Sequence, residues 1–418
     1  MADSRWGRFG VLRHSALVRF LTARLAATLA AQILTVAVGW QVYAITGNPL
    51  DLGLIGLSQF LPFVLLILPA GHVADRYRRS RIVTLCYATE ALCAALLLVF
   101  TLRGVTAAWP VFAVMLLMGA ARAFSMPAGQ ALLPNLVPAE LFSRAVALNS
   151  SVFQIATVVG PALGGLLYLA GAQAAYTAVG VLALIGVVLM RGVRTRATER
   201  FSTEPASLAT LLSGLRFVRS KPIVFGAISL DLFAVLFGGA TAMLPVYASD
   251  ILQVGPAGLG LLRTAPGIGA SLCAVVLALH PLSRRVGAWM FGGVALFGMA
   301  IVVFGLTTHF GVALAALIVL GAADMVSVYV RHLLVQLQTP DEIRGRVSAV
   351  SAVFIGASNE LGDFRSGVMA SWLGAVRAVV IGGFATLAVT GIWMRLFPAL
   401  WRMDRFPQPV QPRAARSA

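Results

Sequence analysis

Charge is what this chain has least of. Asp, Glu, Lys and Arg make up 11% of its 418 residues, against about 25% in an ordinary soluble domain. Lysine occurs once, at Lys221, beside 31 arginines. Cysteine is nearly as scarce, and Cys86, Cys93 and Cys273 all lie in apolar runs. Cys86 and Cys93 fall on one helix, roughly 10 Å apart along its axis, beyond disulfide reach. A packing role is expected for all three. The five histidines show no metal-ligand spacing. No GxxxxGK sequence followed by Ser or Thr is present, so ATP is not the evident energy source. Neither a Ser-His-Asp arrangement nor HExxH is legible, and the loops are too short for a soluble catalytic domain. No enzyme, cofactor or metal is expected.

What the chain has in plenty is apolar sequence, 59% of its residues. Runs of roughly 20 residues recur along its whole length, each long enough to cross about 30 Å of hydrocarbon as a helix. Twelve spans are predicted, near 20–46, 51–70, 82–102, 108–127, 139–168, 174–190, 222–249, 257–280, 288–307, 310–337, 347–373 and 376–397. The first run is too long for a cleavable signal peptide and lacks a small-residue cleavage site. Connections are short except between spans six and seven. The organisation expected is therefore a six-helix half over 1–190, a polar Arg-rich linker over 191–221, a second six-helix half over 222–397 and a tail over 398–418.

A formal charge of +17 raises the question of nucleic acid, and its distribution answers it. With the N-terminus in the cytoplasm, most Lys and Arg fall in the N-terminal segment, the even-numbered loops and the tail. Apart from charges deeper within spans, only Arg103 and, at the outer edge of span twelve, Arg377 lie on the far side. This is the bias that orients membrane proteins; the partner is a lipid bilayer and not nucleic acid. The preference for Arg over Lys points to a GC-rich bacterial genome. The expected location is the bacterial inner (plasma) membrane, with both termini cytoplasmic.

An internal repeat supplies the architecture. Shifted by 202 residues, LMGAARAFSMPAGQALLPNLVPAELFSRAVAL lies without a gap over VLGAADMVSVYVRHLLVQLQTPDEIRGRVSAV. Gly119, Ser125, Pro138, Glu140 and Arg144 meet Gly321, Ser327, Pro340, Glu342 and Arg346. An offset of six spans preserves orientation, so the halves are parallel pseudo-repeats about an axis along the membrane normal. Two such halves rocking about a central site describe a transporter. A membrane-embedded enzyme or receptor is the rival from another class, and the repeat weighs against it.

The segment GHVADRYRRSRIV, residues 71–83, resembles the major facilitator signature between spans two and three, G-x-x-x-D-R-x-G-R followed by a basic residue. Gly71, Asp75, Arg76 and Arg79 match, while Arg78 replaces the second Gly and Ser80 the last basic position. The strings PAGQALLPNLVP, SNELGDFRSG and LDLFAVLFGGATAMLPVYA are similar to the transmembrane-secretion-effector branch, which includes enterobactin exporters. The resemblance covers essentially the full chain and implies alternating access and a cytoplasmic latch. In that latch Asp75 reaches the start of span eleven. VVGPALGG resembles the antiporter motif G-x-x-x-G-P-x-x-G-G through Gly160, Pro161, Gly164 and Gly165, with Ala156 in place of the first Gly. In the family this motif accompanies export. A nutrient importer or uniporter of the same fold is the alternative.

Ionisable residues within spans are costly and mark cavities or partners. The resemblance implies that spans one, four, seven and ten line the central cavity, and these carry Arg24, Arg122, Asp231 and Asp324. Span ten adds Arg331, and Asp324, Ser327, Arg331 and Gln338 share one helical face. These residues are the candidate substrate and proton pathway for a proton-coupled exporter of a small amphipathic compound such as a siderophore, drug or metabolite. Asp231 is the favoured proton carrier, because Arg331, on the same stripe as Asp324, is expected to hold Asp324 ionised. Glu90 is read as a packing residue. Glu360, Asp363 and Arg365, near the middle of span eleven, form a candidate intramembrane charge network. One chain holds both halves, so a monomer is expected.

Overall fold

The computed structural model describes residues 13–193 and 215–408, and none of the described residues is in a β-strand. Among the described residues twelve long helices follow one another: α1 (Ser15–Thr46), α2 (Pro49–Arg76), α3 (Arg79–Leu102), α4 (Trp109–Leu132), α5 (Phe142–Leu169), α6 (Ala172–Arg191), α7 (Pro222–Gly238), α8 (Gly255–Leu279), α9 (Val286–Leu306), α10 (Phe310–Gln338), α11 (Asp341–Leu373) and α12 (Ala375–Leu396). Helix is the expected answer for apolar sequence in lipid, since it satisfies every mid-segment backbone N–H and C=O from within. Eleven candidate spans among the described residues are long and apolar enough to cross a membrane. The remaining long helix, α11, has 33 residues, but its charged start and the Glu, Asp and Arg in its middle lower its hydropathy. The chain is a multi-pass membrane protein. Most of the expected 191–221 linker and the end of the tail lie outside the described residues.

Two turns repeat as the sequence does. Gly171, between α5 and α6, has φ 100°, and Gly374, between α11 and α12, has φ 85°. Both hold a conformation that only glycine adopts without strain. The seventh span departs from expectation. The sequence predicts one run over 222–249, whereas α7 stops at Gly238. A 3-10 turn (Thr241–Met243), a short turn (Leu244–Val246) and a π-turn (Tyr247–Ile251) continue the path. Gly238 and Gly239 lower helix propensity at the break, and Pro245 contributes no N–H beyond it.

The described residues form two compact units. The first takes in those within Met1–Gly47, Leu57–Ala206 and Val254–Thr264. Its core includes Phe20, Tyr87, Leu136 and Met190. Here α5 lies close on α1: a Cβ added at Gly160 would stand 2.5 Å from Gln32 Cβ, and one at Gly164 3.0 Å from Ile33 Cα. In lipid, where apolar contact between helices gains little over contact with acyl chains, such close backbone approach supplies the attraction. The second unit takes in Asn48–Gly56, Ser207–Gln253 and Ala265–Ala418, with Leu230, Met290, Phe291 and Val330 in its core. Leu272, Val275, Val276 and Leu279 of α8, three and four residues apart, are 57–71% exposed. That apolar stripe is a lipid-facing surface. Trp109 and Trp372, both exposed at helix ends, suit the interfacial belt.

Candidate functional site

In the second unit, α10 places Asp324, Ser327 and Arg331 on one face, at i, i+3 and i+7. Arg331 is 3% exposed and Asp231, on α7, 4%. The Arg331 Nη1 donates to Asp231 Oδ2 in a buried ion pair. The expectation that Arg331 holds Asp324 is therefore corrected. Seven residues along a helix put Asp324 and Arg331 about 10 Å apart in rise, and α7 brings Asp231 directly to the guanidinium. Asp324 keeps only longer-range electrostatic contact with Asp231 and Arg331.

Beside the pair is a void of about 10 Å³ lined in part by Asp231, Asp324 and Ser327, room for roughly one water. Ser327 is 2% exposed, and its hydroxyl has no hydrogen-bond partner. A larger open cavity of about 180 Å³ adjoins it, with Val235, Phe297 and Asp324 in both walls. Its polar lining is completed by Thr241, Asn359 and Asp363. The break after α7 forms part of this wall, since Gly238, Gly239 and Ala240 face it. Neither the break nor Thr241 and Asn359 were singled out from the sequence. The glycine pair and the proline were visible signals for the break.

Within the charge trio of α11, Asp363 and Arg365 are in electrostatic contact, and each of the three also meets a different neighbour. Arg365 Nη2 donates to the Phe237 carbonyl and to Ser366 Oγ at 3.0 Å, with the guanidinium 5.7 Å over the Phe237 ring. It thereby satisfies a carbonyl in the last turn of α7, where helical partners run out. Asp363 Oδ1 accepts from Thr241 Oγ1 at 3.3 Å. Glu360 faces the first turns of α2, where a Cβ at Gly56 would stand 3.0 Å from its Oε2.

In the first unit, Arg24 of α1 lies 5.9 Å over the Phe153 ring and Arg122 of α4 lies 5.8 Å over Phe63. Both are cation–π distances. Glu90 of α3 is in electrostatic contact with Arg122. Glu90 thus has a charged neighbour on the next helix, which the sequence reading did not anticipate. The signature residues tie helix ends together. Asp75, on the last turn of α2, is 4.0 Å from Arg79. Arg79 donates from Nε to the Ala74 carbonyl at 3.3 Å and from Nη1 to the Ala131 carbonyl at 3.0 Å. Gly71 is half-buried in α2 and Arg76 is exposed. The expected partner of Asp75, at the start of span eleven, falls largely on side chains outside the described residues. Gly160, Pro161, Gly164 and Gly165 are all buried in α5. Gly160 and Gly164 pack on α1, while a Cβ at Gly165 would meet the Pro256 carbonyl oxygen at 2.5 Å.

Residues 6–410 match the family model described as transmembrane secretion effector. The chain is 26% identical over 415 residues to the multidrug efflux pump Tap of Mycolicibacterium fortuitum, covering 95% of this chain and 99% of Tap. It is 26% identical over 406 residues to the enterobactin exporter EntS of Citrobacter koseri, covering 95% of each. Among solved structures, a bacterial homologue of the human lysosomal transporter Spinster, inward-facing and unoccupied, superposes with a TM-score of 0.71 at 14% identity. That match covers 96% of this chain and 97% of the other. A bacterial homologue of the iron transporter ferroportin, inward-facing, gives 0.70 at 17% identity, covering 94% and 99%.

Proposed function

From the premise that the chain belongs to the transmembrane secretion effector family of major facilitator transporters, not enzymes, we propose that it is a proton-coupled exporter of a small amphipathic compound, working by alternating access in the bacterial inner membrane. The observation that carries this reading is the α7–α10 arrangement. A buried Asp231–Arg331 pair stands beside Asp324, a residue that lines both the water-sized void and the open cavity. Charges in a span are retained at a cost of several kcal/mol, and transporters use them as ion and proton pathways. With Asp231 held by Arg331, the proton-carrying role passes to Asp324. Arg24 and Arg122, backed by aromatic rings, are the groups for an electron-rich part of the cargo. Gly71, Asp75, Arg76 and Arg79 serve as the cytoplasmic gate, and the Gly160–Gly165 crossing is the packing device of the exporter motif. Glu360, Asp363 and Arg365 hold the break of α7 and its surroundings. The names of the two relatives, a multidrug efflux pump and an enterobactin exporter, support export over import.

The test uses everted vesicles or proteoliposomes with an imposed pH gradient, acidic inside, and enterobactin and ethidium as probes. Accumulation of at least one probe above protein-free vesicles, abolished by a protonophore, is expected. Equilibration that ignores the gradient would leave a facilitated carrier and remove the proton from the mechanism. Orientation has its own check. In a cysteine-free background, single cysteines at the exposed positions Arg103 and Arg377 are expected to react with an impermeant maleimide added to intact cells. Cysteines at exposed Arg78 and Arg284 are expected to react only after lysis. The reverse pattern would place both termini outside.

A further inference from the structure

The turn between α8 and α9 is the second half's counterpart of the signature turn between α2 and α3. In the first half Asp75 sits beside Arg79, four residues on. Residues 280–285, HPLSRR, keep basic side chains at Arg284 and Arg285 but hold no Asp or Glu. The fold brings an acid to them from 119 residues away. Asp404, in the segment after α12, accepts the Arg285 backbone N–H through Oδ1 at 3.1 Å. Its Oδ2 lies 3.7 Å from Arg284 Nε and 3.8 Å from Arg405 Nε.

The main chain around Asp404 completes the contact. Val286 and Gly287, the first two residues of α9, donate their N–H groups to the Asp404 and Met403 carbonyls at 3.3 and 2.9 Å. A helix cannot satisfy these first-turn donors from within, and a carboxylate at that end is favoured by the helix dipole. Glycine is required at 287, where a Cβ would collide with the Leu400 and Trp401 carbonyl oxygens. Arg285 has φ 55° and is one of two non-glycine residues with positive φ among the described residues, a conformation that side chains rarely adopt. A short helical turn, Pro398–Trp401, seats the segment. Leu400 is fully buried in one cluster with Val286, Met290 and Phe291, and the Trp401 ring meets Phe291 edge-on at 5.6 Å.

The packed part and the charged part have different uses. Leu400 and Trp401 anchor the segment by burial. The ions do not: the Asp404, Arg284 and Arg405 side chains are 51%, 73% and 74% exposed, and ion pairs that exposed contribute little to stability. What Asp404 adds is a fixed Arg285 N–H, and with it the direction in which the turn enters α9. We propose that residues 398–406 form a clasp on the second cytoplasmic turn, with Asp404 as the positioning residue that supplies the acid this turn lacks. The inference rests on the family's transport activity and on the orientation given above, and not on the coupling ion or the direction of transport. Releasing the clasp frees the turn and opens the second unit's cavity to the cytoplasm more often, as the latch reading of Asp75 implies for the first half.

The test is the labelling rate of Val286→Cys, fully buried beneath the clasp, in the purified full chain otherwise free of cysteine. Asp404→Ala is expected to speed its reaction with N-ethylmaleimide by at least about tenfold, in proportion to the opened population. Asp404→Glu is expected to restore most of the protection. Asp404→Asn, which keeps an acceptor for the Arg285 N–H and loses the charge, is expected to fall between. Raising NaCl to about 1 M, which screens exposed ions, is expected to speed labelling with Asp404 present and to leave the Asp404→Asn rate unchanged. A merely structural weakening would show no such charge-specific response. The gate itself is read at Asn359→Cys, at an exposed position in the cavity wall. In everted vesicles its reaction with an impermeant maleimide is expected to rise severalfold on adding Asp404→Ala. Unchanged Val286→Cys labelling in a folded Asp404→Ala protein would overturn the clasp. Faster labelling there with unchanged access to Asn359→Cys would leave an anchor without a gate and overturn the proposal too. Failure of the orientation is told apart by Arg284→Cys: reaction in intact cells would move the turn to the outer face, while the Val286→Cys rates, read in detergent, would stand.

Discussion

Arg331→Leu is expected to lower the unfolding midpoint of the detergent-solubilised protein by several degrees, the largest stability loss of any single substitution in the second unit's polar site. Arg331 and Asp231 are 3% and 4% exposed and pair directly. Removing one partner leaves the other buried without compensation, at a cost of about 3–5 kcal/mol in measured buried pairs. Removing both has a different outcome, since an apolar or neutral replacement of similar volume is often neutral or stabilising by about 1–4 kcal/mol. The double variant Asp231→Asn/Arg331→Leu is therefore expected to be more stable than Arg331→Leu alone. Intrinsic fluorescence during heating measures all of these. A double variant that loses the sum of its two single losses would mean that the pair is not the interaction being broken.

The fold was legible because its signals are long and redundant. A 20-residue apolar run tolerates errors of several residues at each edge and still reads as a span. A gap-free match of 32 residues at an offset of 202 fixes six-helix periodicity whatever the local propensities. The α11 span shows the limit of hydropathy: by length and composition it falls short of the other spans, while the repeat, which sets Gly362 and Gly367 over Gly160 and Gly165, matches it to span five. The break of α7 was missed because a hydropathy window averages across two glycines. The backbone consequence of Gly238 and Gly239 is local, and apolar residues flank it on both sides.

The site was legible as an inventory and not as a set of pairs. Asp231, Asp324 and Arg331 could each be flagged as charges in apolar helices, and the face shared by Asp324 and Arg331 follows from helical periodicity. Which carboxylate Arg331 meets depends on the relative height of α7 and α10, and no residue spacing within one chain segment encodes that height. Glu90 and Arg122 make the same point in the first unit, since each is an isolated charge in sequence and they are neighbours in space. The repeat does carry one lesson across. Arg122 and Asp324 occupy equivalent positions in α4 and α10, so duplication has kept a charged site and changed its sign.

That change of sign bears on the proton, and Asp324→Asn is expected to abolish gradient-driven transport while sparing exchange. Asp324 lines both the water-sized void and the open cavity, so a proton reaching it from the cavity need cross no apolar barrier. Its charged surroundings are Asp231 and Arg331, and His332 stands near Asp231. Asp231 is committed to Arg331 through a direct hydrogen bond, which leaves Asp324 as the carboxylate whose charge can change without stranding an arginine. Asparagine keeps the shape and cannot exchange a proton. In proteoliposomes, uphill movement of a transported probe under an imposed pH gradient is expected to fall by about tenfold or more, within the 5–150-fold range of typical coupling between sites. Counterflow of the same probe, with substrate on both sides and no gradient, is expected to stay within about threefold of the unmodified protein, because Asp363 and the apolar walls remain. Asp231→Asn, which leaves Arg331 buried and unpaired, is expected to reduce both modes together through loss of folded protein. If Asp324→Asn keeps full gradient-driven accumulation, the proton travels elsewhere, and Glu90 beside Arg122 becomes the carboxylate to replace next.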